Sequence, residues 1–393
     1  MNNIMNYLDW RGDLSFAQDS LNEVDNLILS TLSYIEFDGI VPFERQEGSA
    51  VLSEIAQAAY DVIDFEDPRT RNPFFEHIPD LLLKAAATRR FGGLRLSCYI
   101  NRLNYDTSEQ FSAIVFTLHE GLHYIAFRGT DDNLIGWKED FQMSFLDETQ
   151  SQRDAVEYVR YLLGDLEGKV YLGGHSKGGN LAVYVAASIE ELQHRILAVY
   201  SNDGPGFQEK FLASQGYRNI LPRIHSFLPK SSVVGMLMEH LEEYVVVNSN
   251  ERGIMQHNAF SWEVLGRQFV YQSGVKKSSI FLNQAIRQWL NNVTLEERAD
   301  FVERLFEILQ ASGLNTVSGI TSERRIAVNG MIKAYHNMSP ETKAFMKKII
   351  HKFIAEGQKV IMQSIEEELL PGVLPMEKTG TKRRTKGYIK LNS

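Results

Sequence analysis

The chain has 393 residues, of which 44% are hydrophobic and 23% charged, a composition that excludes a disordered polypeptide. At roughly 100–200 residues per domain, this length predicts two or three domains. The net charge of −9 provides no overall positive field, so we expect no nucleic-acid partner. Cys98 is the single cysteine, which excludes an intrachain disulfide and cysteine-rich metal sites.

The start of the chain, MNNIMNYLDWRGDLSF, lacks both the basic and the apolar region of a secretory signal peptide. No run reaches the roughly 18–20 apolar residues that a membrane-spanning helix needs. We therefore expect a soluble, cytoplasmic protein without a transmembrane segment, although peripheral contact with a membrane stays open.

The first part of the chain, residues 1–92, is expected to be mainly helical. Apolar residues recur at helical spacing from Leu21 to Ile35 and again from Gly48 to Ile63. The period then shortens, and three strands are predicted at residues 94–100, 112–118 and 122–127.

Strands and helices alternate in the next part of the chain. Helices are predicted at residues 152–163, 179–192 and 209–214, and strands at 170–172, 196–200, 223–227 and 244–248. This alternation is typical of a parallel sheet covered by helices on both faces. After residue 276 only helices are predicted, one opened by a capping box at Thr294 and Glu297 and one by Ser339 before Pro340.

These patterns predict an α/β fold with four segments. The core spans residues 93–275, and the N-terminal helical segment, 1–92, packs on it. A C-terminal helical region follows at 276–370. The tail at 371–393 is basic and expected to be flexible. Its run of Lys and Arg at 382–386 indicates either a solvated tail or contact with anionic lipid or nucleic acid.

The motif with chemical content is Gly-His-Ser-Lys-Gly at residues 174–178, which fits G-x-S-x-G. It directly follows a predicted strand and precedes a helix-length apolar run, which is the arrangement of a nucleophile elbow. The serine of such a turn is strained, and small residues two positions away relieve clashes with the strand and helix. Ser176 is therefore the candidate nucleophile. The alternatives are a glycine-rich nucleotide-binding turn or chance.

A serine nucleophile needs donors that stabilise the developing oxyanion. One should be the backbone N–H of Lys177, the residue after the nucleophile. The strand predicted at residues 122–127 runs into Arg-Gly-Thr, so Thr130 is the candidate for the second donor, and Gly129 lets this loop approach closely.

Several of these motifs resemble the class 3 (fungal triacylglycerol) lipases among the α/β-hydrolases: FRGT at residues 127–130, Trp137, Asp140 and GHSKGG at 174–179. Three further segments are similar to a bacterial lipase-like family catalogued as a domain of unknown function: WRGD at 10–13, NEVDNL at 22–27 and SNDGPGF at 201–207. The resemblance covers about residues 5–270. It implies an α/β-hydrolase fold and a serine nucleophile, and it says little about the substrate.

The general base must come from a histidine after Ser176, because chain order in this fold is serine, acid, histidine. His257 is favoured because it follows the last predicted strand by a loop, and the resemblance implies a histidine there. The other histidines lie in a strand or in helical stretches, namely His194, His225, His240, His336 and His351.

The acid is harder to assign. Class 3 lipases carry an aspartate after the strand that here ends at Phe227, but this chain has Ser232 in that context. Asp203 is the replacement candidate because it follows the preceding strand, from which a carboxylate still reaches the histidine. The alternative is that Asp203 caps the Gly-Pro-Gly turn. Glu239 and Glu243 are next in line.

The sequence therefore predicts a serine hydrolase of carboxylic esters, of lipase or esterase type, that needs no metal or other cofactor. A small-molecule or lipid ester is the expected substrate, with Met236 and Leu237 as candidates for an acyl-chain wall or, alternatively, for core packing. The rival interpretation is a non-catalytic scaffold that binds a partner through its C-terminal helices. The sequence indicates no oligomeric state.

Overall fold

The computed structural model describes residues 1–44, 48–67 and 70–369, with the backbone alone described at residues 318, 321 and 361–369. The described N-terminal residues form four helices: α1 (Ile4–Arg11), α2 (Glu23–Leu32), α3 (Leu52–Asp61) and α4 (Ile78–Ala86). The side chains of Asn3 and Asn22 cap the first two helices by accepting backbone N–H groups of the first turn. The predicted helices at 21–35 and 48–63 are thus confirmed, with shorter bounds.

A nine-stranded sheet runs through the described part of the chain. Its strands lie in the order β1 (Ala50–Val51), β2 (Arg95–Asn104), β3 (Glu109–His119), β4 (Leu122–Phe127), β5 (Lys169–His175), β6 (Ile196–Asn202), β7 (Ile224–Pro229), β8 (Tyr244–Val247) and β11 (Tyr271–Gln272). Strands β4 to β8 are parallel, and antiparallel strands flank them on both sides. The carboxyl ends of the parallel strands therefore share one edge, where their loops meet.

Helices cover both faces of this sheet. The crossovers contain α5 (Leu134–Gln142), α6 (Gln150–Asp165), α7 (Lys177–Ser188), α8 (Glu209–Leu212) and α9 (Gln215–Ile220). One apolar core joins the sheet to the N-terminal helices, and a second joins it to α6, α7, α8 and α9. Because the strands follow one another in sequence order, these crossovers lie on the same face. This is the predicted α/β-hydrolase arrangement.

The described residues of the C-terminal region form five helices: α10 (Lys277–Asn291), α11 (Leu295–Gln310), α12 (Val317–Ser322), α13 (Arg324–Asn337) and α14 (Pro340–Leu369). The predicted capping box at Thr294 and Glu297 is present. Helix α11 packs on α5, since Val302 and Phe306 share an apolar cluster with Leu134. In the described residues, no helix combines the length and apolarity that a membrane crossing requires.

Several elements were not expected individually from the sequence, among them α1, α4 and the edge strands β1 and β11. Helix α5 lies in the segment after Thr130, where glycine at position 136 and polar residues weaken the helical pattern. A small hairpin pairs β9 (Val264–Leu265) with β10 (Gln268–Phe269), and strands of two residues are too short to show a period. The predicted flexible tail at 371–393 lies outside the described residues.

A buried ion pair ties the start of the chain to the sheet-covering helices. The guanidinium of Arg90 donates to both carboxylate oxygens of Asp25, at 2.7 and 2.5 Å, and neither side chain is exposed. Arg90 also donates to backbone carbonyls of Leu14, Asp19 and Ser20. This arginine therefore fixes the path of the loop between α1 and α2.

Removing one partner of this pair should strongly destabilise the fold. Asp25→Ala leaves the Arg90 guanidinium buried without its counter-ion, which costs about 3–5 kcal/mol. Asp9→Ala, which breaks an exposed pair with Lys84, should cost about 1 kcal/mol or less. Urea denaturation followed by circular dichroism measures both, and similar losses for the two variants would contradict the assignment.

Candidate active site

Ser176 lies in a strained turn between strand and helix. Strand β5 ends at His175 and helix α7 begins at Lys177, so a single residue makes the reversal. Its backbone has φ 57° and ψ −131°, a conformation that residues other than glycine rarely adopt. The strained strand-to-helix turn expected at this position is therefore present, and the role of Ser176 as a nucleophile stays a prediction.

Glycine at position 174 allows the close packing of this turn. A Cβ atom there would lie 2.6 Å from the carbonyl oxygen of Phe127 and would collide with the backbone of Gly178. The last residue of β4 and the first turn of α7 thus approach β5 without side chains between them. The sequence predicts that a side chain two positions before Ser176 would clash with the strand and helix, and glycine at position 174 avoids this clash.

His257 and Asp203 are hydrogen-bonded to each other. His257 Nδ1 lies 2.6 Å from Asp203 Oδ2, and the Asp203 side chain is fully buried. Asp203 follows β6 directly, whereas His257 lies in a 3₁₀ turn (Gly253–His257) beyond β8. A carboxylate at Nδ1 orients the imidazole and leaves Nε2 for proton transfer.

The other oxygen of Asp203 is held by the neighbouring loop. Ser232 Oγ donates to Asp203 Oδ1 at 2.5 Å, and the N–H of Gly235 donates to the same oxygen at 3.2 Å. Ser232 occupies the position where the resemblance implies an aspartate. Its hydroxyl contacts the carboxylate of Asp203, which follows the neighbouring strand β6. Both oxygens of Asp203 are satisfied.

His175 joins the elbow to His257. The two imidazole rings lie 4.4 Å apart, and His175 Nε2 donates to the backbone carbonyl of His257 at 2.7 Å. Its Nδ1 then accepts from the hydroxyl of Tyr34 at 3.1 Å. Burial lowers the pKa of His175 well below its ordinary value, which suits a neutral ring with one donor and one acceptor. Ser176 and His257 therefore lie at the same edge of the sheet.

The loop after β4 lies against the elbow. A Cβ atom at Gly129 would lie 3.1 Å from Cβ of Ser176 and would collide with the His175 carbonyl. Among the described residues, the backbone N–H groups of Thr130 and Lys177 have no hydrogen-bond acceptor. The two N–H groups predicted as oxyanion donors thus have no protein acceptor among the described residues, and the segments that carry them touch each other.

Asp140 on α5 stands behind Thr130. Burial raises the pKa of Asp140 to about 6, although the Lys177 ammonium and the Thr130 hydroxyl both lower it. The residue as a whole is partly exposed, but its Oδ1 atom is buried. Burial therefore raises the pKa of a carboxyl group that lies near both Thr130 and Lys177.

The remaining histidines and glutamates do not reach this site. His240 pairs with Glu242, and Glu239 pairs with Arg287, in contacts of 2.8 and 2.7 Å. His194 and Glu243 are exposed, as are His336 and His351 on α13 and α14. Met236 and Leu237 are half-buried in the segment after Ser232, and their contact with a substrate stays a prediction.

A groove of about 480 Å³ lies elsewhere on the protein, lined by Asn22, Glu23, Tyr200, His225, Phe227, Arg267 and Gln268. His225 is near the amino end of β7, whereas the candidate triad follows the carboxyl ends of the strands. The groove therefore contains none of the candidate catalytic residues. In the described residues no group of three or more His, Cys, Asp or Glu side chains could hold a metal ion.

The N-terminal segment contributes two aromatic residues that the sequence did not indicate. Phe74 meets the His257 ring edge to face, with ring centroids 6.0 Å apart, and Tyr34 holds His175 as described above. Neither residue lies in a motif with chemical content. Their positions depend on how residues 1–92 pack over the loops, which no local pattern encodes.

Two of three comparisons with known proteins give a match. A model of the Mbeg1-like family matches residues 85–307. A search of curated proteins finds no match.

Among solved structures, the mono- and diacylglycerol lipase from Aspergillus oryzae is 14% identical with a TM-score of 0.37, covering 65% of this chain and 87% of its own. The Rhizomucor miehei lipase–propeptide complex is 19% identical with a TM-score of 0.33, covering 51% and 70%. M37 lipase is 16% identical with a TM-score of 0.32, covering 53% and 68%. Similarity this distant carries no functional conclusion.

Glycine at position 176 should stabilise the fold. A non-glycine residue at this φ and ψ costs about 1–3 kcal/mol, and Ser176→Gly releases that strain while adding entropy to the unfolded chain. Ser176→Ala keeps the Cβ atom and the strain, and so serves as the control. The free energy of unfolding of the glycine variant should exceed that of the alanine variant by about 1 kcal/mol. Equal or lower stability would show that the turn is unstrained.

Proposed function

This chain belongs to the Mbeg1-like family, and we propose that it is a serine hydrolase acting on carboxylic esters. The observation that carries the proposal is the 2.6 Å hydrogen bond between His257 Nδ1 and Asp203 Oδ2, next to a serine in a strained strand-to-helix turn. A fully buried carboxylate bonded to a histidine at a loop edge is the arrangement that a general base requires.

The reaction follows from the proposed roles. Ser176 Oγ attacks the ester carbonyl carbon while His257 Nε2 accepts the hydroxyl proton. The N–H groups of Thr130 and Lys177 stabilise the tetrahedral oxyanion, and Asp203 stabilises the imidazolium. His257 then protonates the leaving alkoxide. Water, activated by the same histidine, hydrolyses the acyl-enzyme and restores Ser176.

We place esters of lipid type first among the substrates because of the sequence resemblance to class 3 lipases. Met236 and Leu237 lie shortly after Ser232 in the chain, and the carbonyl of Leu237 accepts the N–H of Gly206 at 2.9 Å. This contact ties their segment to the loop that carries Asp203. Two half-buried apolar side chains on a segment tied to the loop of the proposed acid are suited to line an acyl chain.

A fluorophosphonate probe should label the wild-type protein at Ser176, because such probes react with serines activated by a neighbouring base. Ser176→Ala should remain unlabelled, and intact-protein mass spectrometry measures the adduct. Absence of labelling in folded wild-type protein would contradict the hydrolase and favour the rival non-catalytic scaffold.

Loss of the acid should reduce turnover strongly. Asp203→Asn keeps the shape but favours the wrong imidazole tautomer, so kcat should fall about 10⁴-fold. Ser232→Ala removes one hydrogen bond to the carboxylate and should lower kcat about tenfold. Ser231→Ala is the matched control, since its buried hydroxyl has no hydrogen-bond partner among the described residues. Near-normal turnover of Asp203→Asn would move the acid's role to another residue.

A further inference from the structure

The side chain of Lys177, the residue after Ser176, points into the protein. It is fully buried, and its ammonium donates to the carbonyl oxygen of Gln110 at 2.8 Å and pairs with Glu139 Oε2 at 3.0 Å. Lysine is almost never fully buried unless it is paired. Here it is buried at the residue whose backbone N–H we assign to the oxyanion hole.

The partner carboxylate is equally enclosed and fully hydrogen-bonded. Glu139 Oε1 accepts the N–H of Ser151 at 2.8 Å. Its Oε2 accepts the Ser151 hydroxyl at 2.6 Å and the N–H of Gln110 at 3.2 Å. These bonds come from β3 and α6, so the direction of the carboxylate is set from several sides, and with it the position of the lysine.

The ion pair joins the two segments that carry the proposed oxyanion donors. Lys177 opens α7 directly after the elbow, and Glu139 lies on α5, shortly after Thr130. Helix α5 also touches Thr130 itself, because a Cβ atom at Gly136 would lie 2.9 Å from Thr130 Cγ2. Any shift of α5 relative to α7 therefore changes the spacing between the two donors.

We infer that the Lys177–Glu139 ion pair is a positioning device that holds the backbone N–H groups of Thr130 and Lys177 at the spacing an oxyanion requires. The inference rests on the proposed hydrolase function and adds to it a role for two side chains that touch neither substrate nor the reacting atoms. Lys177 thus acts twice, through its N–H as a donor and through its ammonium as an anchor.

The Lys177–Glu139 ion pair is not explained by its contribution to the stability of the fold. Desolvation of two charges offsets most of their attraction, and apolar residues of similar volume are often as stabilising. Apolar contacts, however, tolerate sliding, whereas the hydrogen bonds of Lys177 and Glu139 fix both distance and direction. A displacement near 1 Å at a catalytic site costs about 10²-fold in rate. Hydrogen bonds that hold the two N–H groups in place therefore increase the turnover rate.

The test replaces the pair by apolar residues of similar size. In Lys177→Met/Glu139→Leu, we expect kcat for p-nitrophenyl butyrate to fall about 10²-fold, with KM unchanged. The second-order rate of fluorophosphonate labelling should fall by the same factor, because phosphonylation uses the same oxyanion donors. Circular dichroism establishes that the protein is folded under assay conditions.

The matched control is Arg90→Met/Asp25→Leu, which removes a second fully buried ion pair of the described residues, on the N-terminal side of the sheet. Its labelling rate should equal that of the wild type. Equal slowing in both double variants would overturn the inference, since the effect would then follow from any lost buried pair.

The two failures are distinguishable. Wild-type labelling rates in Lys177→Met/Glu139→Leu would overturn the positioning role and leave the hydrolase standing. A folded wild type that does not label would overturn both. If the double variant does not fold, Glu139→Gln, which keeps the shape and one acceptor oxygen, supports the inference by a fall in kcat without a change in KM, and an unchanged kcat overturns it.

Discussion

The turn at Ser176 requires three backbones to approach one another with no side chains between them. The end of β4, the end of β5 and the first turn of α7 meet there, and glycine at position 174 is what makes the approach possible. The strain forced on Ser176 projects its side chain at the carboxyl edge of the parallel strands. Every other candidate group, from Thr130 to His257, lies in a loop that leaves this same edge.

The candidate acid lies on a different loop from the one that the resemblance implies, and both loops leave the same edge of the sheet. Asp203 follows β6, and Ser232 follows the adjacent strand β7, yet their side chains are 2.5 Å apart. A carboxylate on either loop would therefore lie close to the Nδ1 atom of His257. In this chain the aspartate stands on the earlier strand, and the serine on the later one supplies a hydrogen bond. The geometry at the histidine, more than the position in the chain, therefore supports Asp203 as the proposed acid.

The predictable parts of the site are those encoded by local sequence. The elbow around Ser176 is a single turn with its own glycines, and β4 leading into Thr130 is a continuous apolar strand. His257 is favoured by its place in the loop after the last strand and by the resemblance, whereas Asp203 is indicated only by comparison of two loops. Other parts of the site depend on long-range packing, which local sequence does not encode. Tyr34 and Phe74 come from the N-terminal segment, and α5 forms despite Gly136. Nothing in the motif indicates that the Lys177 side chain is buried.

The central claim is that Ser176, His257 and the N–H groups of Thr130 and Lys177 act on one tetrahedral centre. A crystal structure of the protein with a short-chain alkylboronic acid tests this most directly, because boronates mimic the tetrahedral intermediate. The account predicts a bond from boron to Ser176 Oγ, one boronate oxygen bonded to both N–H groups, and His257 Nε2 within hydrogen-bond distance of another oxygen. A boronate bound away from Ser176, or attached to it with its oxygens directed away from these groups, would contradict the account.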